Sequence, residues 1–480
     1  MILKSASQVN LSRDWLFLMI AVLTLCVNLS LMFRSPIVWQ DEVQIVDYSR
    51  TIFNPTSDWA VTSFADGKPY RPLNLIGYAY LNSFLSIFGF SFEVVRAISI
   101  VSGLLLGLSF FYLLRIFGMA PRWAAWLSLA LICDPMLAKS IRGCRIDAVA
   151  CAAGFLAIAF WLKALQAEKP LLYATLSGIF SVSAIFIWAT ALIFIGGYVA
   201  FCLRSGCDKR TEFLRVLGMT ITVGICLTVL ILSGTIWILG WDLLKASLNA
   251  MKSPGVGNFV FGWEQVKFFL KFTLTNPVAW VLFLVLLWSI HRKQISTIKV
   301  LLPFACSLLI CLAIPPLYMF RFVYVIPWIY LAMVEGLQKV NWSMSVWVRS
   351  VTLLMVAYSV IGRLWITVPA WQTRDYDRYA EELTAVIPRG AVIYGSATPY
   401  YAGLKNGWQL YCYFAAGQSP SNELSKRFHY LVLDNADMFP RWLNRADFEL
   451  IKHIDLSDKI HNKSEGYRAT VYRKRIVAAD

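Results

Sequence analysis

Long apolar runs dominate this 480-residue chain, and they limit what it can fold into before anything else is read. A helix needs about 20 predominantly apolar residues to cross the hydrocarbon core of a bilayer. Runs of that order cover residues 15–33, 96–117, 122–138, 147–165 and 213–239, and again 277–290, 298–315, 320–337 and 346–366. The stretch 171–203 is too long for one span and reads as a tight helical pair turning near Trp188. Together these predict about eleven transmembrane helices. Only 15% of the residues are charged and 58% are hydrophobic, whereas a soluble domain carries about 25% charge. So few charges cannot coat a soluble particle of this size, and most of the chain is expected to lie in lipid. The first run exceeds the usual core of a signal peptide, and no small-residue cleavage site follows it before Arg34 and Pro36. It is expected to remain as a span.

The distribution of Lys and Arg gives an orientation. The segment 73–88 is apolar but short, and it carries Asn74, Asn82 and several aromatics. If it lies on the membrane surface as an amphipathic helix and the N-terminus is cytoplasmic, every short cytosolic loop is basic. Those loops then hold Arg115 and Arg122, Lys163 and Lys169, the cluster from Arg204 to Arg215, Arg292 to Lys299, and Lys339 and Arg349. The formal net charge of +16 therefore fixes topology and does not call for nucleic acid. On this reading the loop 34–71, the loop 139–147, the loop 241–271 and the C-terminal tail all face the extracytoplasmic side. Residues 1–369 form the membrane domain, with residues 34–95 as an outer loop bearing surface helices. Residues 370–480 are charged and turn-rich, with a helix-like 375–386 and short β-like runs at 391–394, 410–414, 430–433, 448–451 and 469–472. They predict a small extracytoplasmic α/β domain.

The residues that carry chemistry are few. Seven of the ten cysteines (Cys26, Cys133, Cys151, Cys202, Cys226, Cys306 and Cys311) lie in or beside spans without a CxxC, as buried free thiols would. His291, His429, His453 and His461 avoid the outer membrane-side loops, which argues against a histidine-built metal site or a His-based catalytic pair there. No phosphate-binding loop or dinucleotide fingerprint occurs. What remains is carboxylates and cations. Asp41 and Glu42 follow the first span, where adjacent carboxylates suit a general base or a divalent cation, or equally a capped helix start. In KSIRGCRIDAV, Lys139, Arg142 and Arg145 surround Asp147 at the mouth of the fourth span, as an anion site or an interfacial cluster would. Lys68 and Arg71 sit between prolines, and Arg321 and Arg363 are cations at the edge of the membrane. Such an arrangement at a bilayer surface suits a lipid-borne phosphate, whose departure needs cations while an incoming hydroxyl needs a base.

Several of these elements occur in a familiar order: Asp41–Glu42 after the first span, Lys68–Pro69 and Pro72–Leu73 opening a surface helix, and FGFSFEVVRAISIVSGLL leading into the second span. Arg145–Ile146–Asp147 precedes the fourth span, and Arg321 precedes Tyr324 and Pro327. The chain in this respect resembles the GT-C superfamily of polytopic glycosyltransferases, which includes protein O-mannosyltransferases and lipid A aminoarabinose transferases. The resemblance covers roughly residues 10–340. It implies an all-α polytopic membrane domain with a small α/β extramembrane domain at the C-terminus. It also implies transfer of a sugar from a polyprenyl-phosphate donor to an acceptor hydroxyl on protein, lipid or polysaccharide, with inversion at the anomeric carbon. Asp41 would be the base, Glu42 an auxiliary carboxylate and Asp147 a second-loop acidic residue. Lys68, Arg71, Arg145 and Arg321 would contact the donor phosphate. No cofactor is required, since the leaving group is already a phosphate, although a divalent cation is compatible with the scheme. Two features depart from the family pattern: Tyr70–Arg71 interrupts the usual Lys-Pro-Pro-Leu-like run, and Trp188–Ala189–Thr190 stands where many members have a Lys-containing turn. The competing reading is a flippase or transporter of a lipid-linked saccharide, which would place its ionisable residues nearer the middle of the membrane.

Overall fold

In lipid every backbone N–H and C=O has to be satisfied within the segment that carries it, so apolar runs become helices. A computed structural model of the chain describes residues 14–51, 72–205, 210–242, 244–245, 263–292, 299–313, 319–339, 343–412, 427–434, 439–460 and 463–475. The helices are α1 (Trp15–Leu31), α2 (Gln40–Thr51), α3 (Leu75–Phe88), α4 (Phe92–Ile116), α5 (Pro121–Cys133), α6 (Pro135–Arg142) and α7 (Asp147–Ala164). Then follow α8 (Pro170–Ile187), α9 (Leu192–Ser205), α10 (Arg210–Leu239), α11 (Trp263–Thr275), α12 (Pro277–His291), α13 (Leu302–Ala313), α14 (Ile326–Lys339) and α15 (Met344–Thr367). Helices α4, α7, α8, α10 and α15 are each long and apolar enough to cross a membrane. Two bent pairs and several shorter apolar helices accompany them. The protein is thus an integral membrane protein, and helix occupies every one of the predicted apolar segments.

Helix α7 is the pillar of the bundle. Its small residues, including Ala150, Ala153 and Gly154, let neighbouring helices approach closely. A Cβ on Gly154 would sit 2.4 Å from the Phe194 ring of α9, so only glycine fits there. Helix α10 is the opposite case: Ile225, Leu230 and Trp237 are exposed, as on a face solvated by hydrocarbon. The predicted turn at Trp188 is present, because α8 stops at Ile187 and Trp188 adopts an extended backbone.

The run 122–138 is not one straight span. It breaks at Asp134, bending by 67° between α5 and α6. Pro135 has no N–H to donate, and the Asp134 side chain accepts from the Met136 N–H, so a new helix starts there. Asn276 and Pro277 repeat the device between α11 and α12, which meet at 89°. The two breaks touch: Asn276 Nδ2 donates to Asp134 Oδ2 at 2.9 Å in a buried contact. The consequence for the site is that Lys139 and Arg142 stand on a short helix, α6, and not on the loop that the sequence suggests.

After α15 the chain enters the small α/β part, with α16 (Tyr376–Thr384) and α17 (Tyr400–Asn406). Its five-stranded sheet has the order β2-β1-β3-β7-β4, with β1 (Val392–Gly395), β2 (Gln409–Cys412), β3 (Tyr430–Leu433), β4 (Phe448–Asp455) and β7 (Arg468–Lys474). Strand β1 is parallel to β2 and β3, whereas β7 is antiparallel to β3 and β4. All five predicted β-like runs are strands of this sheet. A separate hairpin of β5 (Asp458–Ile460) and β6 (Lys463–Glu465) was not expected from the sequence. This part does not stand apart from the membrane helices. Phe92 of α4 packs against the rings of Tyr376 and Tyr401, each with centroids 5.2 Å away. Arg34 holds Asp375 through two hydrogen bonds of 3.0 and 2.9 Å. The Tyr467 hydroxyl accepts from the Val38 N–H at 3.0 Å.

Candidate active site

Helix α2 opens with Gln40, Asp41 and Glu42, so its two carboxylates lie in the first turn, where the helix dipole favours negative charge. Successive residues on a helix point about 100° apart, and these two neighbours accordingly face different partners. Asp41 Oδ2 accepts from Arg145 Nη1 at 2.5 Å. Its side chain remains 39% exposed, and Oδ1 has no hydrogen bond among the described residues. Glu42 turns inward. Its Oε2 accepts from Arg96 Nη2 at 2.8 Å and its Oε1 from the Tyr401 hydroxyl at 3.0 Å, and the residue is fully buried. Burial pushes the Glu42 carboxyl up, while the Arg96 guanidinium and the Tyr401 hydroxyl pull it down, leaving a net rise.

Arg145 is the hinge of the site. It lies in the turn between α6 and α7, just after Cys144, the described non-glycine residue with a left-handed backbone, at φ 48°. Strained backbone of this kind is uncommon for a side-chain-bearing residue and aims the next side chain out of the helix path. A Cβ on Gly143 beside it would come within 2.8 Å of Trp39 Nε1, so a larger residue there would displace that ring. The Arg145 guanidinium is 7% exposed and bridges two carboxylates: Nε donates to Asp147 Oδ2 at 2.6 Å while Nη1 reaches Asp41. The rings of Trp39 and Trp188 lie 5.8 and 5.9 Å from it. Burial opposes its charge, but Asp147 and Asp41 more than offset this and hold its pKa above the ordinary arginine value. Asp147 is buried with both oxygens engaged, Oδ2 by Arg145 and Ser140 Oγ (3.2 Å) and Oδ1 by the Tyr324 hydroxyl (2.8 Å).

The structure therefore joins Asp41, Arg145 and Asp147 into one cluster and separates Glu42 from it. Of the three cations expected around Asp147, only Arg145 bonds to it. Arg142 points away and donates to Ser359 Oγ at 2.6 Å, and Lys139 is exposed on α6. The physical reason is the break at Asp134, which turns 135–142 into a helix whose Ser140, and not Lys139 or Arg142, faces Asp147. Arg321 stands in the short helical turn Met319–Tyr324, which also carries Tyr324. Lys68 and Arg71 lie outside the described residues, as does most of the loop 241–271. Among the described residues no group of three His, Cys, Asp or Glu stands close enough to hold a metal ion. A divalent cation would find one partly open carboxylate, Asp41, since Asp147 is fully engaged.

Sequence reasoning used Tyr324 only as part of a pattern with Arg321 and Pro327 and overlooked Ser140, Trp39 and Tyr401, which are ordinary residues in composition. It used Arg96 only to mark the start of a span. An arginine four residues inside an apolar helix is itself the signal that a buried partner exists.

No protein-family model matches the sequence, and no curated protein does. Solved structures do match. ArnT from Cupriavidus metallidurans bound to undecaprenyl phosphate is 16% identical with a TM-score of 0.56, over 98% of this chain and 99% of that one. The same organism's ArnT in the apo state is 15% identical with a TM-score of 0.54, over 96% of this chain and 98% of that one. At such identities the likeness is one of fold, and it extends over essentially the whole length of both chains. The fold is GT-C.

Proposed function

We propose that this chain, a membrane protein with the GT-C fold, is a glycosyltransferase that moves a sugar from a polyprenyl-phosphate donor to an acceptor hydroxyl. The observation that carries this reading is the Asp41–Arg145–Asp147 cluster at the start of α7. It offers a part-exposed carboxylate beside a guanidinium that two acidic groups keep charged. ArnT, whose fold is similar, binds undecaprenyl phosphate, which supports a lipid-phosphate donor here.

In this scheme the acceptor O–H gives its proton to the unoccupied Oδ1 of Asp41 as the oxygen attacks the anomeric carbon. The bond between that carbon and the phosphate oxygen breaks, and its electron pair leaves with the phosphate. Displacement from the opposite face inverts the configuration. Arg145 faces the charge that develops on the leaving phosphate, a role for which a planar guanidinium with several donors is suited. Lys68, Arg71 and Arg321 are proposed as further phosphate contacts, on the sequence pattern alone. Asp147, anchored by Tyr324 and Ser140, keeps Arg145 in place. The acceptor is a hydroxyl on protein, lipid or polysaccharide, and no cofactor enters the scheme.

General-base assistance is worth about 10²–10⁴-fold. Asp41→Asn is expected to lower transfer from polyprenyl-phosphate sugars by at least roughly 100-fold, measured with purified protein of unchanged thermal stability. An undiminished rate would remove Asp41 from the base role. Movement of lipid-linked sugar between leaflets with no glycoside formed would replace the enzyme by a carrier.

A further inference from the structure

Away from Asp41, a cavity of about 480 Å³ runs along the side of the bundle between α1, α4 and α5. Its walls include Val22 and Leu25 of α1 and Leu104 and Leu108 of α4, all of them also exposed, so it opens sideways toward lipid. Along α1 and its C-cap the lining reaches from Phe17 to Met32, which at 1.5 Å per residue is about 22 Å. Hydroxyls in the wall do not make it polar. Those of Thr24, Ser99 and Ser128 each donate to a carbonyl of their own helix, of Ile20, Val95 and Ala124. The result is a channel fit for a hydrocarbon chain.

One end differs. Where α1, α4, α6 and α15 converge below the C-terminal sheet, the lining contains Arg96, Arg142 and Arg363. Arg96 has one carboxylate partner, Glu42. Arg142 and Arg363 have none among the described residues. Arg142 donates to Ser359 Oγ, and Arg363 to Asn28 Oδ1 at 2.8 Å and the Ser35 carbonyl at 2.6 Å. Nε of all three is buried without a partner among the described residues. Arg96 and Arg363 are 1% and 5% exposed. The other charged groups nearby are already committed, since Asp375 is paired with Arg34, and Arg374 adds further positive charge and donates to the Arg34 carbonyl. Buried charges persist in proteins when they are paired, and ionisable groups within a membrane protein mark binding sites or pathways. Three guanidiniums against one carboxylate, at the head of an apolar groove, match a ligand with an anionic head and a hydrocarbon tail.

We propose that this groove is a binding site for a bilayer lipid with a phosphate or carboxylate headgroup, separate from the Asp41–Arg145 cluster. One chain lies between α1 and α4, and the headgroup rests on Arg142 and Arg363, with Arg96 shared between it and Glu42. Neither Asp41 nor Arg145 lines the groove; the nearest link is Glu42, which Arg96 holds and which follows Asp41 in the first turn of α2. The inference stands on the groove and its arginines and does not depend on the glycosyl-transfer reading.

The test is equilibrium binding of a fluorescent-chain phosphatidic acid to the full-length protein in neutral detergent micelles, against phosphatidylcholine with the same chains. Phosphatidic acid is expected to bind at least tenfold more tightly. The double variant Arg142→Gln/Arg363→Gln should bring the two lipids level. Val22→Trp, which keeps every charge and narrows the groove at a lipid-facing position, should weaken phosphatidic acid binding at least fivefold. Arg145→Gln should leave it unchanged. Equal binding of both lipids by the wild type would overturn the proposal, as would selectivity that survives the double arginine variant or full-strength binding by Val22→Trp. Loss of binding in Arg145→Gln would also overturn it, by placing the headgroup at the Asp41 cluster instead.

Discussion

Arg145 is held by two acids of different character, and the difference divides their roles. Asp147 is buried and spends both oxygens on fixed partners, so it orients the guanidinium. Asp41 is partly open and has an oxygen to spare. Removing the Tyr324 hydroxyl takes away a hydrogen bond to a charged group, worth about 1.5–3 kcal/mol, from Asp147 Oδ1, the oxygen that Arg145 Nη2 also approaches at 3.5 Å. Tyr324→Phe is therefore expected to lower transfer by roughly tenfold, which is about 1.4 kcal/mol of the barrier. Arg145→Lys should lower it further, since an ammonium cannot reproduce the two-sided fork. Single-turnover transfer by the purified variants checks both, and a full rate in Tyr324→Phe would mean that Asp147 does not position the arginine. At this scale the sequence is only half legible. Asp41, Arg145 and Asp147 stand out because charge is rare in an apolar chain. Tyr324 and Ser140 do not, because they become site residues only through contacts across 177 and 7 positions. Glu42 shows the converse: its adjacency to Asp41 suggests a shared task, and the helical twist sends it to Arg96 and Tyr401.

Among the elements, α3 shows how closely the bundle is fitted around the site. Its Gly77 lies so near α8 that a Cβ would meet the Ile187 carbonyl oxygen at 2.3 Å and Ile146 Cδ1 at 2.4 Å. The first is backbone at the end of α8 and cannot rotate aside; the second belongs to the Arg145–Asp147 turn. Gly77→Ala should destabilise the protein by about 1–3 kcal/mol, as overpacking does, and displace the turn that carries Arg145. A lowered thermal midpoint together with slowed transfer would bear this out, and an unchanged midpoint would mean that α3 can move away freely. The existence of most spans is readable from the sequence because apolarity is a local property. The bend at Asp134 is not visible in hydropathy, which continues across it. The Asp-Pro and Asn-Pro pairs at 134–135 and 276–277 are the readable trace of the two breaks, since proline cannot continue a helix and the residue before it caps the next.

For the molecule as a whole, the proposed orientation has the N-terminus and the basic loops in the cytoplasm and the C-terminal sheet on the other side. Glu168, exposed in the turn between α7 and α8, and Asn444, exposed in the C-terminal part, lie on opposite sides of the membrane in that arrangement. In intact cells, a membrane-impermeant thiol reagent should label Asn444→Cys and spare Glu168→Cys until the membrane is permeabilised. Labelling of the second in sealed cells would invert the topology.

Helix α17 also changes the order in which this protein can be completed. Tyr401 and Tyr400 give their hydroxyls to Glu42 and Asp47 of α2 across 359 and 353 residues of chain. At a synthesis rate of about 5–20 residues per second, α2 waits roughly 20–70 s for those partners. During that interval Arg96 and Arg50 are available to Glu42 and Asp47, but the tyrosine hydroxyls that complete their burial are still to come. The segment around Tyr400 and Tyr401 thus acts as a delayed latch, and the carboxylates of α2 take up their final positions only once it has been made.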